Sequence, residues 1–186
     1  MANETKIIEM AELDEIERSE DLATIREKTQ EIARQIQQIL LERGQMMATA
    51  ESLTGGLVAS HIVDIAGSSA VFAGGIVAYQ NEIKEALLGV PHSVLEEKGA
   101  VSAETVLNMT EGARKKFSCQ WAIATSGIAG PGGGTPDKPV GTVWVAVKCG
   151  DRIESECYHL PGTRDRVIDR TTNNVLCRLI KMLRDF

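Results

Sequence analysis

Apolar residues recur three or four positions apart in three long stretches of this chain. Residues with that spacing share one face of a helix, so each stretch is predicted to be an amphipathic helix. The first begins near Asp21 and ends before Gly44, the second follows Ser102, and the third begins at about Arg164. Their apolar positions are Leu22, Ile25, Ile32, Ile36, Ile39 and Leu40; Val106, Met109, Ala113 and Phe117; and Val167, Ile168, Val175, Leu176, Leu179, Ile180 and Leu183.

Shorter apolar runs between these helices predict strands over 46–50, 71–79, 121–124, 140–147 and 153–160. Gly74 and Gly75 indicate a bulge in the second run, and Gly150-Asp151 is typical of a hairpin turn between the last two. We expect a short helix over 81–88, and another helix that Ser52 or Thr54 would cap and that ends near Asp64. Helices alternating with strands, plus one hairpin, predict an α/β fold: a three-layer α/β/α sandwich with a mixed β-sheet.

The first 20 residues differ from the rest of the chain. They are acidic and weakly patterned, with Glu12, Glu15, Glu17 and Glu20 among them. We therefore expect an acidic N-terminal arm or a short extra helix over 1–20, outside the core, followed by a single domain over 21–186. With 186 residues and 43% apolar content, the chain can bury one sizeable core.

Charge and composition narrow the classes of partner. The formal net charge is -6, and the one basic cluster, Arg114-Lys115-Lys116, fits the last turn of a helix, so no nucleic-acid partner is expected. Cys119, Cys149, Cys157 and Cys177 have no C-x-x-C spacing, so we expect free thiols and neither a zinc site nor a redox pair. No histidine and carboxylate cluster has the spacing of metal ligands, and no metal or other cofactor is expected. No run approaches the about 20 apolar residues of a membrane span, and the N-terminus lacks a signal-peptide pattern. A cytoplasmic protein is expected.

Two glycine-punctuated segments, 50–56 and 125–134, each follow a predicted strand. In open α/β sheets, ligands bind where strands end, because unpaired backbone N–H groups and helix dipoles meet there. The second segment matches neither the Walker A loop nor the Gly-x-Gly-x-x-Gly fingerprint. These segments predict a site for a small ligand that carries an anionic or carbonyl group.

Six ordered segments of the chain resemble one protein family. They are Ala-Glu-Ser-Leu-Thr-Gly-Gly at 50–56, Ile-Ala-Gly-Ser-Ser at 65–69, Tyr-Gln-Asn-Glu-Ile-Lys at 79–84, Gly-Ala-Val-Ser at 99–102, Ser-Gly-Ile-Ala-Gly-Pro-Gly-Gly-Gly at 126–134 and Lys-Pro-Val-Gly-Thr-Val at 138–143. Together they are similar to the CinA C-terminal domain family, the nicotinamide-nucleotide amidohydrolases of PncC type, from about Ile32 onward. The chain is expected to be the stand-alone form, without the preceding domain of longer CinA proteins.

The resemblance implies hydrolysis of the carboxamide of nicotinamide mononucleotide to nicotinic acid mononucleotide and ammonia. An amide is a poor electrophile, so this reaction needs an activated nucleophile and donors for the developing oxyanion. Ser52 is the candidate nucleophile, and the amides of Thr54, Gly55 and Gly56 are candidate donors and substrate contacts. An ordinary helix N-cap is the other interpretation of Ser52.

The general base is expected to be a lysine. His61 would lie about 10 Å along the helix after Ser52, at about 1.5 Å per residue, which is too far. His92 and His159 are interpreted as surface or core histidines. The resemblance assigns the base role to Lys84, which would activate either Ser52 or water, and burial would favour its neutral amine. Tyr79 would relay a proton or stack on the pyridine ring.

The second glycine segment is expected to hold the ribose and phosphate of the substrate, or else to be a flexible turn. Arg164 matches a family arginine and could pair with the phosphate. The family often has aspartate at the position of Thr163 and arginine near Ile168, and this chain has neither. The remaining candidate contacts in that segment are Thr125, Ser126, Gly127, Gly130, Gly132 and Gly133.

Two other functions remain open from the sequence. One is a non-catalytic, competence- or damage-associated ligand-binding domain, and the other is an amidohydrolase of a different small amide. The resemblance also implies a homodimer, for which the long helix over 22–43 could supply an interface. No membrane partner is expected.

Overall fold

A computed structural model of the protein describes residues 8–19 and 21–186. In this part of the chain, seven α-helices alternate with five strands, and a short 3-10 turn covers Ser68–Ala70. The helices are α1 (Met10–Arg18), α2 (Leu22–Arg43), α3 (Leu57–Val63), α4 (Asn81–Leu88), α5 (His92–Glu97), α6 (Ala103–Phe117) and α7 (Arg164–Arg184). The strands are β1 (Met47–Glu51), β2 (Phe72–Val77), β3 (Trp121–Gly127), β4 (Thr142–Cys149) and β5 (Arg152–His159).

The strands form one mixed sheet in the order β2-β1-β3-β4-β5. β2, β1 and β3 run parallel, whereas β4 and β5 form the predicted antiparallel hairpin. The register shifts between Phe72 and Gly74, so the bulge expected near the two glycines of this strand is present. Helices cover both faces of the sheet, which confirms the predicted three-layer α/β/α sandwich.

The two faces of the sheet differ in side-chain size. Large side chains such as Met47, Trp121 and Ile123 point toward α1, α2, α3 and α7. Alanines occupy the opposite face, which packs against α4, α5 and α6; they are Ala48, Ala50, Ala122, Ala124 and Ala146. Successive side chains of a strand alternate between faces, so one strand can serve both layers. Small side chains allow the helices on the alanine face to approach the sheet closely.

Most helix boundaries follow the sequence pattern. Gly44 and Gly89 adopt the left-handed conformation and end α2 and α4, and the Ser102 side chain accepts a hydrogen bond from Thr105 N at 3.2 Å to cap α6. The expected cap of α3 is wrong, because this helix begins at Leu57 and its N-cap is Gly56. The short helix α5 was not predicted.

The N-terminal segment is more closely attached than the sequence suggested. The described part of the expected arm contains helix α1, and Ile8, Leu13 and Ile16 are buried in the core shared with α2 and α7. This differs from the expectation that the segment lies outside the core. Residues 1–7 and 20 of the expected arm lie outside the described residues, and the division at residue 20 stays a prediction.

Helices α4 and α6 make a very close contact. A Cβ atom added at Gly112 of α6 would lie 1.9 Å from Leu88 O and 2.6 Å from Leu88 C, at the end of α4. Only glycine lets these two backbones approach so closely. Gly112 therefore sets the position of the helix that carries Lys84.

Other observations concern cysteines, metals and membranes. None of the four cysteines forms a disulfide, as predicted, and Cys119 and Cys177 are buried. Within residues 8–19 and 21–186, no group of three or more His, Cys, Asp or Glu side chains is arranged to hold a metal ion. None of the helices described above has both the length and the apolar content needed to cross a membrane.

Candidate active site

The topology creates a crevice at one end of the sheet. β1 lies between β2 and β3, and all three strands run in the same direction. The connection from β1 to β2 contains α3 on one face, and the connection from β2 to β3 contains α4, α5 and α6 on the other. Connections that leave on opposite faces open a crevice beyond the carboxyl ends of the strands, the common ligand position in such folds.

A cavity of about 180 Å³ occupies this crevice. Six of the residues predicted for catalysis or binding line it together: Ser52, Tyr79, Lys84, Ser126, Gly127 and Arg164. The other lining residues are Leu53, Ala100, Val101 and Ala129. The structure thus brings together three residues that are far apart in sequence: Ser52, the candidate nucleophile; Lys84, the candidate base; and Arg164, the candidate phosphate-binding residue.

The turn after β1 presents Ser52 to the cavity. Ser52 N donates to Thr125 O at 3.0 Å, which extends the pairing of β1 with β3, and Ser52 O accepts from Gly55 N at 3.1 Å. The hydroxyl of Ser52 makes no hydrogen bond with any described residue. Since α3 begins five positions later, Ser52 is not an N-cap, and its hydroxyl is available to a ligand.

Glu51 holds this turn in place, a role that the sequence analysis missed. Its buried carboxylate accepts hydrogen bonds from Gly56 N, Val58 N and Ala59 N, at 3.0, 3.0 and 2.9 Å, and from Thr54 Oγ1 at 2.8 Å. These amides begin α3, where the helix dipole favours a negative charge. The acidic residue directly before Ser52 was the available signal, because it lies inside the first glycine-punctuated segment.

Lys84 is almost fully buried, with 1% of its surface exposed. Its Nζ donates a hydrogen bond to Tyr79 O at 3.0 Å, and no described carboxylate pairs with it. Burial lowers the pKa of the Lys84 ammonium below its usual value of 10.5, against a weaker opposing effect of Glu82. A larger fraction of neutral amine is therefore present than for a solvated lysine. No hydrogen bond joins Lys84 Nζ to Ser52 Oγ in this structure.

Arg164 and Tyr79 form the mouth of the cavity. Arg164 Nη2 donates to Tyr79 Oη at 2.9 Å, and Arg164 Nη1 donates to Gly130 O at 2.9 Å. Both side chains are exposed, so they can reach a ligand from the solvent side. These two hydrogen bonds hold the guanidinium of Arg164, the first residue of α7, between Tyr79 and the second glycine segment.

The hydroxyls behind the cavity are already paired. Thr54 Oγ1 and Thr125 Oγ1 lie 2.8 Å apart and are buried, so they support the turn and do not line the cavity. Ser126 Oγ donates to Ala100 O at 2.6 Å, which joins β3 to the segment before α6. That segment supplies Ala100 and Val101 to the lining; the sequence analysis saw it only as one of the family motifs and did not place it in the site.

Several predicted glycines lie outside the cavity lining. The amides of Gly55 and Gly56 are occupied by Ser52 O and Glu51, which removes them as donors in this structure. The peptide N–H groups of Leu53 and Thr54 donate to none of the described residues, and they are the free amides of this turn. Gly130 contributes its carbonyl to Arg164, while Gly132 and Gly133 are exposed in the loop beyond.

The three histidines occupy other places. His61 Nδ1 lies 3.0 Å from Gln30 Oε1 of α2, and burial lowers the pKa of its imidazole. His92 is exposed and its Nδ1 lies 2.9 Å from Glu85 Oε1, which raises its pKa. His159 lines a different cleft, between α1, β5 and α7. No histidine lines the Ser52–Lys84 cavity.

Comparisons with known proteins agree with this architecture. A curated CinA-like protein of Synechococcus sp. (strain CC9902) is 52% identical over 116 residues, which is 62% of this chain and 28% of that protein. A CinA-like protein of Thermotoga sp. (strain RQ2) is 41% identical over 158 residues, or 85% of this chain and 38% of that protein. The chain thus spans about a third of the length of such curated relatives.

Solved structures and a family model extend the match. The crystal structure of a competence/damage inducible protein from Agrobacterium tumefaciens has a TM-score of 0.81 and 39% identity, covering 84% of this chain and 95% of that one. A CinA superfamily protein from Klebsiella pneumoniae has a TM-score of 0.82 and 32% identity, covering 85% and 99%. The model of the CinA C-terminal domain matches residues 29–183. This chain therefore belongs to the CinA C-terminal domain family.

Proposed function

We propose that this protein is an amidohydrolase that converts nicotinamide mononucleotide into nicotinic acid mononucleotide and ammonia, with Ser52 as nucleophile and Lys84 as base. The observation that carries the proposal is the shared cavity of an unpaired serine hydroxyl and a buried lysine with no carboxylate partner. A serine becomes a nucleophile only when a nearby base accepts its proton. Lys84 is the one lysine that lines this cavity.

The reaction can be written with these two side chains. Neutral Lys84 accepts the proton of Ser52 Oγ as this oxygen attacks the carboxamide carbon and forms a tetrahedral intermediate. The C–N bond then breaks, the leaving nitrogen takes the proton from Lys84, and ammonia departs from an acyl-enzyme. Water attacks the acyl carbon, its proton passes through Lys84 to Ser52 Oγ, and the carboxylate product is released.

The oxyanion of each tetrahedral intermediate needs hydrogen-bond donors. The peptide N–H group of Leu53 is suited to this role because Leu53 follows Ser52 in the cavity lining and its N–H donates to none of the described residues. Glu51 supports the same turn from behind through α3. The turn is thus organised before the substrate binds, which is what electrostatic stabilisation requires.

The cavity suits the reacting end of a nucleotide better than a whole nucleotide. Its 180 Å³ is smaller than the about 300–1,000 Å³ of a site that encloses a drug-sized ligand. We place the pyridine carboxamide inside, beside Ser52 and Lys84, and the ribose phosphate at the mouth, where Tyr79 lies and Arg164 offers a guanidinium. The glycine-rich loop around Gly132 would then cover the phosphate.

The test is ammonia release from nicotinamide mononucleotide by purified protein, with EDTA present. We expect turnover by the wild type and a loss of at least about a thousandfold in kcat for Ser52→Ala and for Lys84→Ala, because removing one member of a nucleophile–base pair disables the pair. Ser60→Ala and Lys116→Ala change exposed residues of the same types and are the matched controls.

Each outcome discriminates between functions. Full activity of Ser52→Ala would exclude an acyl-enzyme on this residue and leave Lys84 to activate water directly. A folded wild type that releases no ammonia from this substrate would contradict the proposal. Turnover of another small amide would then identify a different amidohydrolase, and binding without turnover would identify a ligand-binding domain.

A further inference from the structure

A second and larger cleft lies away from the candidate active site. It has a volume of about 490 Å³ and is bordered by α1, β5 and α7. None of its lining residues lines the Ser52–Lys84 cavity. The function proposed above makes no use of this cleft, so its features require a separate explanation.

Helix α7 contributes a polar stripe to this cleft. Arg170, Asn174, Arg178 and Lys181 are spaced at intervals of three or four residues and all line it. Residues with that spacing share one helix face. Arg18 of α1 also lines the cleft. Together with the three cations of the stripe, it gives four Lys or Arg side chains against two carboxylates, those of Asp14 and Glu156. A chain with a formal net charge of -6 therefore contains a locally positive cleft.

Arg170 is the unusual member of this stripe. Only 9% of its surface is exposed, and its Nε is buried without a hydrogen-bond partner. Its terminal nitrogens make neither a hydrogen bond nor an ion pair with any described residue. An arginine stays charged in proteins, so this is a buried, uncompensated positive charge. Such a charge is unfavourable unless an anion joins it.

A second buried donor lies one helical turn away. Asn174 is 1% exposed and its Nδ2 also lacks a partner. The other cations of the stripe already have partners: Arg178 contacts Glu154 and Glu156, and Lys181 Nζ lies 2.7 Å from Asp14 Oδ1. The Nε of Arg178 is also buried without a partner, but its terminal nitrogens are paired, so Arg170 and Asn174 are the residues whose outer donors remain unused in the described cleft.

We propose that this cleft is an anion site that binds a phosphate group through Arg170 and Asn174. A guanidinium presents several N–H donors in a plane that matches two phosphate oxygens, and an amide NH₂ can reach a third. Arg178 and Lys181 add positive potential at the rim. The volume leaves room for more than a bare phosphate, so the natural ligand is a small phosphorylated compound.

The test is calorimetric titration of the protein with inorganic phosphate, at an ionic strength held constant with chloride. We expect Arg170→Met to weaken the phosphate Kd by at least about tenfold, because a charged hydrogen-bond donor is lost. Arg34→Met, at an exposed position on α2, is the matched control and should bind as the wild type does. Arg164→Met separates this cleft from the active-site mouth, and it should keep the Arg170-dependent binding.

Asn174→Asp provides a second variant that does not remove the arginine. The new carboxylate would pair with Arg170 from one turn away, so we expect phosphate binding to be lost and the melting temperature without phosphate to rise. Malonate serves as a dicarboxylate probe and should bind more weakly than phosphate. The proposal is overturned if the wild type does not bind phosphate, if Arg170→Met and Asn174→Asp bind it normally, or if malonate binds more tightly.

Discussion

The role proposed for Lys84 comes with a cost in stability. A lysine at 1% exposure has lost most of its hydration, and one hydrogen bond to Tyr79 O replaces it. The same burial that lowers the pKa of its ammonium disfavours the charged form in the folded protein. A group of this kind is typical of sites where function is maintained at the expense of stability.

We therefore expect Lys84→Met to stabilise the fold by about 1 kcal/mol at pH 7 while it abolishes ammonia release. The lost hydrogen bond to Tyr79 O costs about 1 kcal/mol, and replacing a buried ammonium by an apolar side chain of similar length removes the larger cost of desolvating a charge. Urea unfolding of the wild type, Lys84→Met and the exposed control Lys116→Met measures the difference.

The same pair of proteins gives a pH dependence with a defined sign. The folded-state pKa of Lys84 lies below the unfolded value, so between the two the unfolded wild type binds more protons than the folded one. Wild-type stability attributable to this group therefore rises with pH through that window, up to about 10.4. The advantage of Lys84→Met should shrink between pH 7 and pH 10. An advantage that stays constant over this range would contradict the lowered pKa.

At the scale of elements, the contact between α4 and α6 determines where Lys84 sits. Alanine is favoured over glycine by about 1 kcal/mol in a helix, which alone would make Gly112→Ala stabilising. The added Cβ would instead lie 1.9 Å from Leu88 O, a backbone atom that cannot move aside without shifting α4. We expect Gly112→Ala to lower the free energy of unfolding by about 2–3 kcal/mol. It should also reduce kcat, since Leu88 lies one turn after Lys84.

The matched control is Gly132→Ala, where no atom lies within 4 Å of the added Cβ. Its stability should stay within about 0.5 kcal/mol of the wild type. Urea unfolding of both variants separates a local clash from a general effect of replacing glycine, and ammonia release by Gly112→Ala is compared with that of the wild type. A Gly112→Ala variant as stable as Gly132→Ala would show that the two helices can separate at little cost.

Helices and strands whose apolar residues recur at a regular spacing could be predicted from the sequence. Fewer details of the site could be predicted. The glycine-ended helices and the hairpin follow directly from the residue pattern, because spacing and turn chemistry are local. The start of α3 was wrong because hydroxyl residues suggested a cap, whereas the Glu51 carboxylate accepts from the helix amides. The six-residue α5 is too short for a periodic pattern.

Long-range proximity was the second limit. The two glycine-punctuated segments could be placed together from the ends of their strands, but Tyr79, Lys84 and Arg164 joined them only through the family resemblance, since spacing alone does not place Lys84 beside Ser52. Ala100 and Val101 carry no chemical signal in their side chains. The spacing of the residues in α7 does not distinguish Arg170 from an exposed charge, and only the packing of α1 and β5 shows that it is buried.

At the scale of the whole molecule, we propose that the protein is a homodimer, as the resemblance implies. Leu41, an exposed apolar side chain on α2, supplies contact area for a second copy on the long helix expected at the interface. Light scattering after size exclusion should give about 40 kDa, twice the chain mass of 20.1 kDa. A species near 20 kDa at all concentrations tested would contradict this expectation.

The way the cavity wall is assembled also determines how sensitive the site is to local unfolding and proteolysis. Its lining comes from five separate stretches, at 52–53, 79–84, 100–101, 126–129 and 164, which span most of the chain. No fragment of the fold contains the whole site, so any sub-global opening that releases one stretch also dismantles it. Local unfolding or cleavage at any one of these five stretches would therefore disable the site while the rest of the sheet stays folded.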